Sequence, residues 1–292
     1  MRTFLLACLL WGGTAAASVV PPGAERQLKS KPVTEFFADD SAHFSELIDP
    51  IVDQFQQTVA AYGGTVTKQL DWDSNIVNAT AYIIGNEWRI VAFGGLYRLE
   101  GMTDDGFQLA ICHEAGHLLG GFPYYPGISH ATSEGQADYF GAQICARSIW
   151  RAQLAANHAA YLRAPQAVKD ACSDAWEQVA DVELCGRIAV TAQDLIANLS
   201  PDLRVSLETP DPSVSPATIF SGYPTPQCRI DTYLRGALCD AAWDFSLIPG
   251  RDVGAVNSIE AEAEAHRYSC HKARSAAAAR PSCWYSQRVD LP

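Results

Sequence analysis

The chain has 292 residues, a formal net charge of −12, and 48% hydrophobic against 18% charged residues. That is enough chain to bury a full core. The acidic balance, with no run of Lys or Arg, excludes nucleic acid as a partner held by phosphate neutralisation.

The opening stretch "MRTFLLACLLWGGTAAAS" joins one arginine to an apolar run and to small residues ending at Ala15-Ala16-Ala17. It reads as a secretory signal peptide over residues 1–17, which makes the protein secreted or periplasmic. A lipid-modified Cys8 would leave almost no hydrophobic segment ahead of the cysteine. No later stretch approaches the roughly eighteen apolar residues of a membrane span, so none is expected. Cleavage leaves eight cysteines, namely Cys112, Cys145, Cys172, Cys185, Cys228, Cys239, Cys270 and Cys283. An even number in an exported chain predicts up to four disulfides, with 105 possible pairings. The eight contain no C-x-x-C pair of the kind that structural metal sites use.

"SAHFSELIDPIVDQFQQTVAAYGG" sets Phe44, Ile48, Ile51, Phe55, Val59 and Tyr62 at helical spacing and predicts one amphipathic helix stopped by Gly63-Gly64. "TVTKQLDW", "TAYIIG" and "EWRIVAFGG" predict a small sheet, with a hairpin turning at Gly85-Asn86. "MTDDGFQLAICHEAGHLLGG" predicts a helix capped by Thr103 with acidic residues in its first turn. After the loop "FPYYPGISHAT", the run "SEGQADYFGAQICARSIWRAQLAANHAAYL" is helical, and Ser133 and Gln136 have capping-box spacing. Further helix is expected on either side of Cys172 and after Gln193, before the proline-rich break "TPDPSVSP".

His113 and His117 lie one turn apart and can present both imidazoles to one ion. Glu114 falls beside them, where it can reach a metal-bound water. This is the arrangement of two ligands and a general base in H-E-x-x-H. A catalytic zinc takes a third protein ligand and leaves a position for water. The position that would supply a third histidine three residues after Gly120 is Pro123, which has no donor. His130 stands alone in a loop. Glu134 is the best candidate, because Asp138 follows it by one turn and can accept a hydrogen bond from the outer nitrogen of a ligating histidine.

The run "VNATAYIIGNEWRIVAFGGLYRLEGMTDDGFQLAICHEAGHLLGG", followed by "SEGQADYFG", resembles the HtpX-like and CAAX-prenyl-protease group of gluzincin zinc metallopeptidases. The matching positions are Asn78-Ala79, Gly95-Leu96, His113 to His117, and Glu134 with Ala137-Asp138. The match covers about residues 65 to 145. It implies one zinc ion held by His113, His117 and Glu134, with Asp138 supporting a ligand. "SGYPTPQCRIDTYLRG" is a weaker echo of that family's His-Pro-Pro…Arg segment, with Pro224 and Arg229 in place and Tyr223 where the family usually has histidine. Tyr223 and Arg229 are therefore candidates to hold an oxyanion. The alternatives are packing for Tyr223 and a structural ion pair for Arg229. The membrane-embedded members of the family carry transmembrane helices and this sequence has none, so the resemblance is to a soluble, exported, disulfide-bearing variant.

The expected fold is α+β, a mainly helical zincin-type domain with a small sheet before the H-E-x-x-H helix, reinforced by disulfides. Residues 18–292 read as one metallopeptidase domain, with a zinc-site core at about 40–165 and a helical, Cys-containing part at about 166–292. The expected activity is hydrolysis of a protein or peptide substrate by a zinc-bound water, with Glu114 as general base. "WRIVAFGG" is the expected site for an extended substrate to add as a strand, and Tyr124 and Tyr125 are candidates to line a side-chain pocket. Three alternatives stay open. The protein could be an aspzincin-like enzyme with Asp138 as ligand, a binding protein that keeps zinc without turnover, or a hydrolase of a non-protein amide. A disulfide between Cys112 and Cys145 would tie the two ligand-bearing helices together.

Overall fold

The computed structural model describes residues 18–24, 27–128 and 131–288. The expected signal peptide, Cys8 and His130 lie outside the described residues.

The first helical stretch divides into α1 (Ala38–Glu46) and α2 (Asp49–Ala61). Pro50 explains the division. It has no N–H for a helix interior, so it sits in the first turn of α2 instead. The predicted inward face survives the break, with Phe44, Ile48, Ile51, Phe55 and Val59 all buried.

Strands β1 (Thr65–Asp71), β2 (Ala79–Ile84) and β3 (Glu87–Phe93) form a sheet in the order β1-β3-β2. β2 and β3 are the predicted hairpin, and Gly85 at its turn takes the left-handed φ of +62° that glycine tolerates best. β1 runs parallel to β3. β3 is therefore central, with both backbone edges paired, and "WRIVAFGG" cannot accept a substrate strand as the sequence reading expected. The sign was in the sequence, because Ile90-Val91-Ala92 is a continuous buried run, as in a strand covered on both faces. On the β2 side of the sheet, the open edge belongs to β2.

A single helical turn, α3 (Gly94–Tyr97), leads to α4 (Asp104–Leu119). Thr103 caps α4 as predicted, its hydroxyl accepting from the Gly106 amide at 3.0 Å. Every residue of α4 from Gly106 to Leu119 is buried, so each polar side chain on it needs a partner in the interior. α5 (Glu134–Phe140) runs through a π-helical turn (Gly141–Ala146) into α6 (Arg147–Trp150). α5 starts at Glu134 as predicted, but the capping box does not form. The Ser133 hydroxyl has no partner, and the Gln136 amide donates to the Gly120 carbonyl at 3.0 Å while its oxygen accepts from Arg280 at 3.1 Å. Partners distant in sequence have displaced the local one.

The remaining helices are α7 (Leu154–Leu162), α8 (Gln166–Ala175), α9 (Val179–Leu199), α10 (Pro226–Ala237) and the short α11 (Ile259–Ala265). α8 carries Cys172, and the helix expected after Gln193 is the end of α9, which has already begun at Val179. α9 packs against α4, α7, α8 and α10, and α10 packs against α5. Among the described residues no helix is long and apolar enough to cross a membrane.

The eight cysteines among the described residues all pair, as Cys112–Cys145, Cys172–Cys185, Cys228–Cys283 and Cys239–Cys270. The first is the predicted clamp between α4 and the helix that α5 begins. It joins residues 33 apart in sequence, a loop whose closure contributes roughly 4 kcal/mol in the chain-entropy account. The architecture is thus α+β, mainly helical with a three-stranded sheet and four disulfides, and bonds of this kind persist in an oxidising compartment.

Candidate metal centre

α4 presents His113 and His117 on one face, and α5 crosses close enough to bring Glu134 up to them. The crossing depends on Gly116, where a Cβ would stand 2.7 Å from the Ala137 carbonyl oxygen. The two Nε2 atoms lie 3.0 Å apart. Glu134 Oε2 is 3.2 Å from the first and 3.6 Å from the second. All of these side chains are buried.

The outer nitrogens fix the tautomers. His117 Nδ1 lies 2.7 Å from the Thr132 carbonyl oxygen, which can only accept, so Nδ1 carries the proton. His113 Nδ1 lies 2.7 Å from Asp138 Oδ1, with the same consequence. Both neutral rings then aim a lone pair at the other Nε2, and Glu134 Oε2, which has no hydrogen bond, aims a third at the same point. Three acceptors facing one another can be bridged by a cation, or by a proton carried on one of the imidazoles. His113, Glu114 and His117 are in any case a group that could hold a metal ion, their ligand atoms lying within 4.8 Å of one another.

Charge supports this fit. The buried carboxylates of Glu114, Glu134 and Asp138 face one buried guanidinium, Arg229. With all three carboxylates ionised, two negative charges are left over, which a divalent cation would balance. Protons otherwise answer the deficit. Burial works against a charged His113, yet Asp138 and Glu134 overcome it and raise its pKa to about 9. Burial also drives Glu114 well above the usual carboxylate range, with partial relief from His113. Both Glu114 oxygens are buried and lack a hydrogen-bond partner. Glu134 remains ionised despite its burial because the two histidines hold it well below that range.

Asp138 lies behind His113, on the Nδ1 side. Arg229 grips it with two hydrogen bonds, Nε to Oδ2 and Nη2 to Oδ1, each 2.8 Å. That pair overcomes burial and keeps Asp138 charged. Arg229 comes from α10, whose first turn is capped by the Thr225 hydroxyl accepting from the Cys228 amide. The Arg229 guanidinium is thus committed to Asp138, with Nη1 donating to the Val19 carbonyl at 2.9 Å.

Tyr223 stands at the rim of the centre. Its hydroxyl donates to the Ser18 carbonyl at 2.9 Å, and burial together with the charges of Glu134 and Glu114 raises its pKa. The two loop tyrosines have separate places. The Tyr125 hydroxyl donates to Glu134 Oε1 at 2.7 Å. Tyr124 packs with Phe122 and Trp284 in the second apolar cluster and reaches the Pro249 carbonyl at 3.4 Å.

Sequence reasoning missed Thr132, which contributes a backbone carbonyl that no residue type signals, the Tyr125–Glu134 bond, and the presence of Ser18–Val20 at the site. Asp211, Cys228 and Cys283 also cluster, but the two cysteines are joined as a disulfide and offer no thiolate. No protein-family model matches the chain, and neither a curated protein nor a solved structure matches it.

Proposed function

We propose that the protein is an exported zinc-dependent endopeptidase of gluzincin type. The observation that carries this reading is the meeting of His113 Nε2, His117 Nε2 and Glu134 Oε2 within 3.6 Å of one another, beside a buried glutamate with no hydrogen-bond partner. Two imidazoles and one carboxylate suit zinc in a site with an open position. When bound, the ion would lower the pKa of a coordinated water and polarise the scissile carbonyl.

The chain's own residues supply the rest. Glu114, whose pKa burial raises, takes a proton from the attacking water and hands it to the leaving amine. Asp138 fixes the His113 tautomer and is itself held by Arg229. Arg229 is thus a positioning residue, leaving Tyr223 as the side chain able to donate to an oxyanion once its hydroxyl leaves Ser18. Asp138 stands on the far side of His113 with both oxygens engaged, which favours Glu134 over Asp138 as third ligand. Glu114 favours an enzyme over a zinc-stapled binding protein, because a structural site has no use for a buried, unpartnered base.

The test is peptide-library cleavage by the purified protein with zinc assayed alongside. Glu114→Gln is expected to keep the metal and lose at least about 100-fold in kcat, the scale of a lost general base. Undiminished cleavage by that variant would refute the mechanism.

A further inference from the structure

Ser18, Val19 and Val20 are almost completely buried, at 4%, 0% and 0% exposure, although they belong to no helix or strand of the fold. Their backbone contacts run to the candidate site. Ser18 bridges Thr80 in antiparallel sense, on the edge of β2 that β3 leaves open. The Ser18 carbonyl accepts from Tyr223 at 2.9 Å, and the Val19 carbonyl accepts from Arg229 at 2.9 Å. The Val20 amide donates to Asn78 Oδ1 at 3.2 Å. Beyond Val20 come Pro21 and Pro22, which have no amide hydrogen to extend a ladder, and the chain turns away where the Ala24 amide bonds the Pro21 carbonyl at 3.0 Å.

An extended peptide on a sheet edge is held by such contacts: main-chain pairing for affinity, and buried places for its side chains. We propose that Ser18–Val20 is a resident strap lying in the place of substrate, antiparallel on β2, and that this edge of β2 takes extended peptides with consecutive branched aliphatic residues only when the strap withdraws. The purpose of this edge rests on the peptidase reading, but its occupancy by the strap does not. Cleavage of the signal peptide after Ala17 would make Ser18 the first residue of the exported protein, so the strap would travel with it. A tethered segment competes at millimolar effective concentration, so a free peptide at micromolar concentration is largely shut out.

The experiment uses the full exported protein and a fluorescently labelled peptide, Ser-Val-Val-Pro-Pro-Gly. Its binding is followed by anisotropy with wild type and with Val19→Gly/Val20→Gly, whose folding is checked by a cooperative thermal transition. The variant is expected to bind at least about tenfold more tightly than wild type, because the tethered competitor has lost its buried side chains. Equal affinity, or no binding to either folded protein, would overturn the proposal. Should the variant not fold, hydrogen exchange on wild type decides the matter. Millimolar peptide is expected to speed exchange at the Val19 and Val20 amides, and unchanged protection overturns the strap. Cleavage is read in the same samples. If the peptide binds and displaces the strap but neither protein hydrolyses any peptide, the strap stands and the peptidase reading falls.

Discussion

Replacing Asp138 by Asn separates two roles that the structure joins in one carboxylate. The side chain accepts from His113 Nδ1 at 2.7 Å and from Arg229 twice at 2.8 Å, with both partners buried. Asn keeps the shape but leaves the Arg229 guanidinium as a buried charge with only the Val19 carbonyl as a full acceptor. Breaking a buried pair in this way costs about 3–5 kcal/mol, and at about 2 °C per kcal/mol for a chain of this size the melting temperature should fall by roughly 6–10 °C. Loss of the carboxylate behind a metal-ligating histidine typically costs about 10–100-fold in metal affinity.

The double variant Asp138→Asn/Arg229→Met tells the two roles apart. Removing the orphaned guanidinium should return most of the lost stability, since an uncharged replacement for a buried pair is often near neutral. Metal affinity should stay low, because nothing restores the acceptor behind His113. Thermal melts and zinc competition against a chromogenic chelator measure the two quantities. A double variant no more stable than the single one, or Asp138→Asn with zinc affinity within a factor of two of wild type, would refute the reasoning.

Gly116→Ala puts a methyl group 2.7 Å from the Ala137 carbonyl oxygen, so α5 must shift. A loss of about 1–3 kcal/mol, with weaker zinc binding as Glu134 moves away, is expected in melts and metal titrations. Adding zinc to metal-free protein at pH 7 should release protons, because the ion displaces those held by His113, which Asp138 and Glu134 raise to about 9 against its burial, and by Glu114, which burial keeps high; calorimetry in buffers of different ionisation enthalpy reads the number, and zero would contradict the charge balance. His266, lowered to about 3 by burial with help from Arg280 and His271, stays neutral when folded and charges when unfolded. Its contribution is therefore intact above its unfolded pKa near 6.5 and falls by about 1.4 kcal/mol per pH unit from there towards pH 3. His266→Gln should flatten the acid limb of a stability-against-pH curve.

The parts of the fold legible in the sequence are those whose physics is local. The Gly85-Asn86 turn fixed the hairpin, Thr103 capped α4, and helical spacing put His113 and His117 on one face. The Cys112–Cys145 clamp was legible because both cysteines sit in phase with ligand-bearing helices. Local signals failed where a distant partner offered more. Gln136 left Ser133 for Gly120 and Arg280, and β3 became central because β1 pairs with its far side.

The strap was the least legible feature, for a physical reason. Three residues carry no period, so nothing in "SVV" distinguishes a buried segment from a loose leader. Its burial comes from Tyr223 and Arg229, more than 200 residues away in sequence, and from an edge of β2 that exists only once the sheet has formed. Yet the same contacts explain why the site's supports were hard to assign. In the sequence, Tyr223 and Arg229 are candidate oxyanion donors because they stand in the segment that resembles the gluzincin group's His-Pro-Pro…Arg stretch, with packing and a structural ion pair as the alternatives. In the folded chain one holds the strap and the other holds both the strap and Asp138. A polar side chain near the chemistry is committed to whichever acceptor lies closest, and only the fold says which acceptor that is.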